Sequence, residues 1–199
     1  MRHDAGKLLV VSGPSGAGKS TVIHKMMAGR DDIRFSVSAT TRAPREGEID
    51  GKDYYFLDRE RFEQMIRDGA FLEHAQYVGN YYGTPAAPVM ESLRSGINVI
   101  LDIEVQGASN VRKAMPEAVT VFLAPPSFDA LEKRLRGRGL DSEEKIRQRL
   151  IRAREEYLEI PKYDYIVIND DADEAAQELA AILLAAQCRT ADRLPLLQK

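Results

Sequence analysis

The sequence predicts an α/β fold: a parallel core sheet flanked by helices, interrupted by a β-rich insertion and, further on, by a helical, arginine-rich segment. Three observations carry this. A short apolar strand runs directly into a glycine-rich turn and then into a helical pattern. Apolar runs of strand length recur at Asn98 to Asp102, Thr120 to Leu123 and Tyr165 to Asn169, each followed by helical or turn-rich sequence, the alternation of a parallel sheet. Between about Phe35 and Pro88 the texture changes to short alternating segments broken by GEIDGKD and VGNYYGT, which read as turns between small antiparallel strands.

In chain order, Lys7 to Ser12 is the first buried strand, and Ser20 to Ala28 the helix after the glycines, with Val22, Ile23, Met26 and Met27 on or near one face. Inside the insertion a helix runs from Asp58 or Arg59 to Asp68; its apolar stripe is Phe62, Met65 and Ile66, and Gly69 stops it. Ser127 to Tyr157 is rich in helix formers and arginine, interrupted by Gly137 and Gly139, with Asp141 or Ser142 able to cap its second helix. Ala172 to Ala186 places Ala175, Leu179, Ile182 and Leu183 at helical spacing, an amphipathic element expected to close the core. The tail from Gln187 is expected to fray. The division that follows is a core of residues 1–34, 89–125 and 161–199, an insertion at 35–88 and a helical segment at 126–160.

A length of 199 residues fits one domain with inserted parts, and 44% apolar with 30% charged residues is the composition of a folded globular chain. Lys and Arg total 28 against 31 Asp and Glu, so the net charge of -3 gives no global reason to expect nucleic acid or a membrane surface. The apolar run at Leu8 to Val11 is too short for an export signal or a membrane span. Cys188 is the single cysteine, which excludes an internal disulfide and points to a reducing cytoplasm. His3, His24 and His74 have neither metal-site nor triad spacing and are assigned no role.

Gly13, Pro14, Ser15, Gly16, Ala17, Gly18, Lys19 and Ser20 match the phosphate-binding pattern G-x-x-x-x-G-K-[ST] at every fixed position, followed by Thr21. Glycines let backbone N–H groups converge on phosphate oxygens, and the helix behind them presents its positive end to the same anion. Lys19 adds a mobile point charge, and the Ser20 hydroxyl suits Mg²⁺ bridging the phosphates. At ordinary glycine usage such a match arises by chance in roughly 1% of chains or fewer, and the strand before it and helix after it reduce that further. ATP is the expected nucleotide, with GTP as the rival. Asp102 closes the apolar run NVILD, where the carboxyl end of a parallel strand faces the ligand crevice; it reads as a carboxylate on the magnesium side or as a local cap.

The segments GPSGAGKST, FSVSATTRAPREGEIDGKDY, FLEHAQYVGNYYGT, ILDIEVQGA, LRGRG and IVIND, in that order from about Leu8 to Asp171, resemble the guanylate kinase family. The resemblance implies a P-loop nucleoside monophosphate kinase fold with a GMP-binding insertion and a helical lid, moving the γ-phosphoryl group of ATP to GMP with Mg²⁺ in purine metabolism. It implies that Arg42, Arg45, Tyr54 and Tyr82 hold the GMP phosphate, that Ser38, Glu73 and Thr84 read guanine, and that Asp102 and Glu104 lie near metal and acceptor, their separate roles open. Arg134, Arg138 and Arg149 would act from the lid with Lys19 and Arg42 in catalysis, while Asn169 would lie beside adenine or cap its strand.

Chemistry agrees with this division. Arginine forks and phenols donate to a phosphate dianion, and Glu73 can accept from guanine N1–H and its 2-amino group while repelling the acceptor nitrogen of adenine. Singly, the arginines also read as surface charges, the tyrosines as packing residues and Glu73 as an exposed carboxylate; joined in motif order they do not. For Arg147, Arg152 and Arg154 a solvated helix face is expected. Rival readings are a kinase of the same fold acting on another phosphorylated acceptor, and a guanylate kinase-like binding module. Glu73 with Ser38 argues against the first. An intact Lys19 and Ser20, and a chain with no room for scaffold modules, argue against the second. The partners expected are ATP and GMP, with no nucleic acid or membrane, in a monomer or a homodimer.

Overall fold

β1 (Leu8–Ser12) is buried along its whole length, as a central strand covered on both faces must be, which is why LLVV shows no polar alternation. The computed structural model describes residues 5–77, 79–137, 142–194 and 197. After β1 the chain forms α1 (Lys19–Met27), β2 (Ile33–Phe35), β3 (Ala39–Thr40), β4 (Tyr55–Phe56), α2 (Arg59–Arg67), β5 (Phe71–Tyr77) and β6 (Asn80–Pro85). There follow α3 (Ala86–Arg94), β7 (Asn98–Asp102), α4 (Val105–Ala114), β8 (Val119–Ala124), α5 (Phe128–Gly137) and α6 (Glu143–Tyr157). A 3-10 turn at Ile160–Lys162 leads into β9 (Tyr165–Ile168), α7 (Ala172–Gln187) and α8 (Thr190–Arg193).

The core sheet has five parallel strands in the order β2-β7-β1-β8-β9. The pleat sends alternate residues of β1 into opposite layers. Leu9 and Val11 pack with Val22, Ile23 and Met26 of α1 and with Leu179 and Leu183 of α7. Leu8 and Val10 pack with Val89 and Leu93 of α3 and with Ala108 and Val111 of α4. From β1 the chain reaches neighbours on both sides, so the strand order reverses there, and crevices at the carboxyl ends of such sheets take ligands.

A second sheet, β4-β3-β6-β5, forms the insertion and has its own small core. Phe62 of α2 is fully buried and stacks on Phe71 at 4.4 Å and on Tyr81 at 5.3 Å between ring centres. Asp58 caps α2, accepting from the Arg61 amide at 2.7 Å, and Gly69 stops the helix with φ 65°. Leu131, Leu135, Ile146 and Ala153 form a third apolar cluster that holds α5 against α6. Ser142 caps α6; Asp141, the other expected cap, lies outside the described residues.

Three features depart from the sequence expectation. Phe35, expected to open the insertion, ends β2 and pairs with Ile100 in the core sheet. Of the β2 residues only Ile33 is buried, so this edge strand carries no readable periodicity. β3 and β4 pair in parallel rather than antiparallel, because the long loop between them returns the chain to the same end before β4 begins. From Gln187 to Arg193 the tail is tied back, contrary to the expected fraying: Lys7 Nζ lies 2.5 Å from an Asp192 carboxylate oxygen, and Arg193 Nε donates to the Gln187 carbonyl at 3.1 Å, pinning α8. Among the described residues no helix is long and apolar enough to cross a membrane.

Because Phe62 anchors a separate core, Phe62→Ala is expected to cost the insertion about 3–5 kcal/mol. Hydrogen exchange should then show protection lost from β5 and β6 while β1 and β8 keep theirs.

Candidate active site

The turn from Gly13 to Ser20 joins the end of β1 to the start of α1 and is braced from behind. Gly18, at the N-cap of α1, has φ 92°, and a Cβ there would lie 2.3 Å from Asn169 Nδ2, so both backbone shape and close approach require glycine. Asn169 Nδ2 donates to the Ala17 carbonyl at 2.7 Å, and Arg134 donates to the Asn169 carbonyl at 2.9 Å and to Ala17 at 3.4 Å. Asn169 also continues the β9 ladder, its amide donating to Ala124 O at 2.7 Å. Both side chains therefore support the loop through its carbonyls. Lys19 Nζ donates to Gly13 O at 2.7 Å and stands 3.7 Å from Asp102 Oδ1, across the gap between α1 and the end of β7. Ser15, Ser20 and Thr21 are exposed at the loop and the start of α1.

Facing the loop is the inner side of the inserted sheet. Glu73 of β5 and Thr84 of β6 are register partners, and the Thr84 hydroxyl donates to Glu73 Oε1 at 2.7 Å. Thr84 is fully buried and Glu73 is 8% exposed, so this carboxylate is held in a nearly dry setting. Ser38, Tyr54 and Tyr82 line the same cleft, the two tyrosine rings 6.2 Å apart. Arg42 lies behind them, its guanidinium carbon 5.4 Å from the Tyr54 ring centre, and it donates to Glu48 Oε1 at 2.8 Å. Glu48 Oε2 accepts from the Arg45 backbone amide at 2.7 Å, so one carboxylate organises both arginines; the Arg45 side chain is exposed on the outer loop. Glu48 carries no role in the sequence reading, although its place three residues after Arg45 and six after Arg42 was a visible signal.

The third wall is α6. Arg149 donates to Ser15 Oγ at 3.1 Å, joining this helix to the glycine turn. Arg152, expected on a solvated face, instead enters the cleft: it donates to Glu104 Oε2 at 2.6 Å and to Glu156 Oε1 at 3.3 Å. Residues 149, 152 and 156 stand at helical three- and four-residue spacing, so Arg152 shares the inward face of Arg149. Arg147 and Arg154 are exposed as expected, the first paired with Glu144 and the second lying over Phe128. Arg138 lies outside the described residues.

Together these walls enclose a cleft of about 440 Å³, lined by Gly13, Ser15 and Lys19 of the turn, by Ser38 and Glu73 of the insertion, and by Asp102, Glu104 and Arg149. That volume suits a bound small molecule.

Strand order, glycine turn, inserted sheet and arginine-bearing helix pair together define a P-loop nucleoside monophosphate kinase fold. A guanylate kinase family model matches residues 5–186. Guanylate kinase of Streptococcus thermophilus (strain CNRZ 1066) is 53% identical over 187 residues, 94% of this chain and 90% of that protein. Guanylate kinase of Parasynechococcus marenigrum (strain WH8102) is 51% identical over 178 residues, 89% of this chain and 98% of that protein. The crystal structure of guanylate kinase from Anaplasma phagocytophilum matches with a TM-score of 0.77 at 37% identity, covering 95% of this chain and 90% of that one. The chain belongs to the guanylate kinase family.

Burial dominates the carboxylates of the cleft. It raises the pKa of Glu73, opposed by the Thr84 hydroxyl and amide, and that of Asp102, opposed by Lys19. It raises Glu156 as well, against the pull of Arg152. On the outer loop the order reverses: the hydrogen bond from Arg42 holds Glu48 below the usual carboxylate range. A carboxylate with a raised folded-state pKa opposes folding once ionised, and the opposition disappears as both states become protonated. Glu73→Gln is therefore expected to raise the Tm at neutral pH, the gain declining as pH falls through the raised pKa of Glu73 and vanishing below the unfolded value of about 4.3. Thermal melts of both proteins across that range check it.

Proposed function

We propose that the protein transfers the γ-phosphoryl group of ATP to GMP, giving ADP and GDP, with the two nucleotides bound end to end in this cleft. The observation that carries the reading is the shared cavity: a lysine-bearing glycine turn and a dry, hydroxyl-held carboxylate line the same cleft. The first is built for a polyphosphate. The second suits a base that offers adjacent N–H donors, as guanine does at N1 and its 2-amino group; adenine would set a lone pair against the carboxylate.

In this reading the turn from Gly13 to Ser20, with Thr21 beside it, cradles the ATP phosphates, and Lys19 exchanges the Gly13 carbonyl for phosphate oxygens. Asn169 and Arg134 keep the loop in shape from behind, Asn169 on the adenosine side. The GMP phosphate sits by Tyr54 and Tyr82, where Arg42 gives up Glu48 to a dianion, a stronger acceptor, and Arg45 swings in from the outer loop. Ser38, Glu73 and Thr84 read the base. Residues 35–88 then form the GMP-binding part, 126–160 the lid and the remainder the core.

A dianionic phosphate needs no general base. Its oxygen attacks the γ-phosphorus as the bond to the β-phosphate oxygen breaks, and the rate comes from alignment and from neutralising the equatorial oxygens. Lys19, Arg42, Arg138 and Arg149 are assigned the positive charge there, while Arg134 acts through the loop it braces. Closure of insertion and lid over both nucleotides excludes water, the competing acceptor.

The donor set also fits Mg²⁺. Asp102 is a desolvated carboxylate at the end of β7, facing Lys19, and Ser20 offers an exposed hydroxyl at the start of α1. A hard cation that takes one carboxylate, one hydroxyl and phosphate oxygens matches this sparse protein contribution. Ser20 and Asp102 would hold it, with Glu104 nearby, and it would offset phosphate charge. A cytoplasmic setting suits a chain whose single cysteine, Cys188, is a free, exposed thiol.

Coupled ADP release measured with ATP, Mg²⁺ and each of GMP, AMP, CMP and UMP is expected to show turnover with GMP and little with the others. Equal turnover with AMP would contradict the base-reading role of Glu73. Lys19→Ala is expected to lower kcat by about 10²–10³-fold, the scale seen when one positioned charge donor is removed; full turnover in that variant would remove Lys19 from the mechanism.

A further inference from the structure

Gly107 occupies the first turn of α4 and is buried. Its φ lies outside the left-handed region, so the backbone does not require glycine, and alanine is the better helix former at such a position. What excludes a side chain is space. A Cβ on Gly107 would lie 2.8 Å from Glu73 Oε2 and 3.3 Å from Glu73 Cδ. The other oxygen of that carboxylate, Oε1, accepts the Thr84 hydroxyl at 2.7 Å. Glu73 is thus held between β6 on one side and the bare backbone of α4 on the other.

We infer that Gly107 is a positioning residue for base recognition: it sets the orientation of the Glu73 carboxylate by leaving it room against α4. The inference rests on the proposed role of Glu73 in reading guanine. The atoms a methyl group would displace first are the far end of a flexible side chain, so a substitution turns the carboxylate and leaves the fold in place. It acts on the acceptor base alone, since the atoms nearest such a methyl group belong to Glu73 and Ile103 and not to the glycine turn.

Gly107→Ala, Glu73→Gln and the double variant, assayed for kcat and for KM with GMP, IMP and ATP, test this. Gly107→Ala is expected to raise the KM for GMP by roughly tenfold or more, the effect of misplacing one buried charged hydrogen-bond partner. Its KM for ATP should stay at the wild-type value and its Tm at or above the wild-type value, and its preference for GMP over IMP, which lacks the 2-amino group, should narrow. The double variant should be no worse than Glu73→Gln alone, because the charged acceptor whose orientation the methyl group disturbs is already lost. A wild-type KM for GMP in Gly107→Ala, or a loss that adds in full to that of Glu73→Gln, overturns the inference. If Glu73→Gln itself keeps the wild-type base preference, the role of Glu73 fails and this inference with it; if only Gly107→Ala is silent, the role of Glu73 stands and Gly107 alone is misassigned.

Discussion

The cleft depends on cations that are gathered at one place and already held by protein oxygens. Lys19 rests on the Gly13 carbonyl near Asp102, Arg42 on Glu48, Arg149 on Ser15 and Arg152 on Glu104. Such charges packed together would repel one another and scatter, and each local acceptor holds one in place. Phosphate dianions are stronger acceptors than a carbonyl or a hydroxyl, so binding becomes an exchange of partners rather than the ordering of free side chains. The desolvated carboxylates Asp102 and Glu156 belong to the same balance: they are tolerated at partial burial because positive charge stands beside them.

The fold supplies the placement. β1 at the centre of the sheet fixes the glycine turn between β7, whose end carries Asp102, and β8, whose ladder through β9 brings Asn169 behind the loop. The inserted sheet stands on its own aromatic core around Phe62, and the Glu73–Thr84 pair sits where that sheet meets α4, with Gly107 against the Glu73 carboxylate. α5 and α6 hold each other through Leu131, Leu135 and Ile146, and α6 carries Arg149 and Arg152 as one face. Glycine turn, inserted sheet and helical wall each have their own apolar support and meet at the cleft.

The glycine turn was legible in the sequence because every fixed position has a local physical job, and the central strands were legible because strands buried on both faces are continuous apolar runs. Ser38, Tyr54, Glu73 and Tyr82 came together through motif order, and the structure puts all of them on one cleft. Other features were hidden because they depend on contacts between distant segments. β2 buries only Ile33, and the bracing of the loop by Asn169 and Arg134 joins positions far apart in the chain. Arg152 carried a signal that pointed two ways: three residues after Arg149 on an arginine-rich helix is equally the spacing of a solvated stripe and of an inward one, and Glu104 decides between them. Gly107 had none, since a glycine in a helical segment reads as a weak helix position until its neighbour is known.

Phosphoryl transfer from one bound nucleotide to the other across this cleft is checked by incubating the protein with ATP labelled in its γ-phosphate, unlabelled GMP and Mg²⁺, and following the label. Label is expected to leave ATP only when GMP is present and to reappear in the β-phosphate of GDP; label released as inorganic phosphate at the same rate with and without GMP would rule such transfer out.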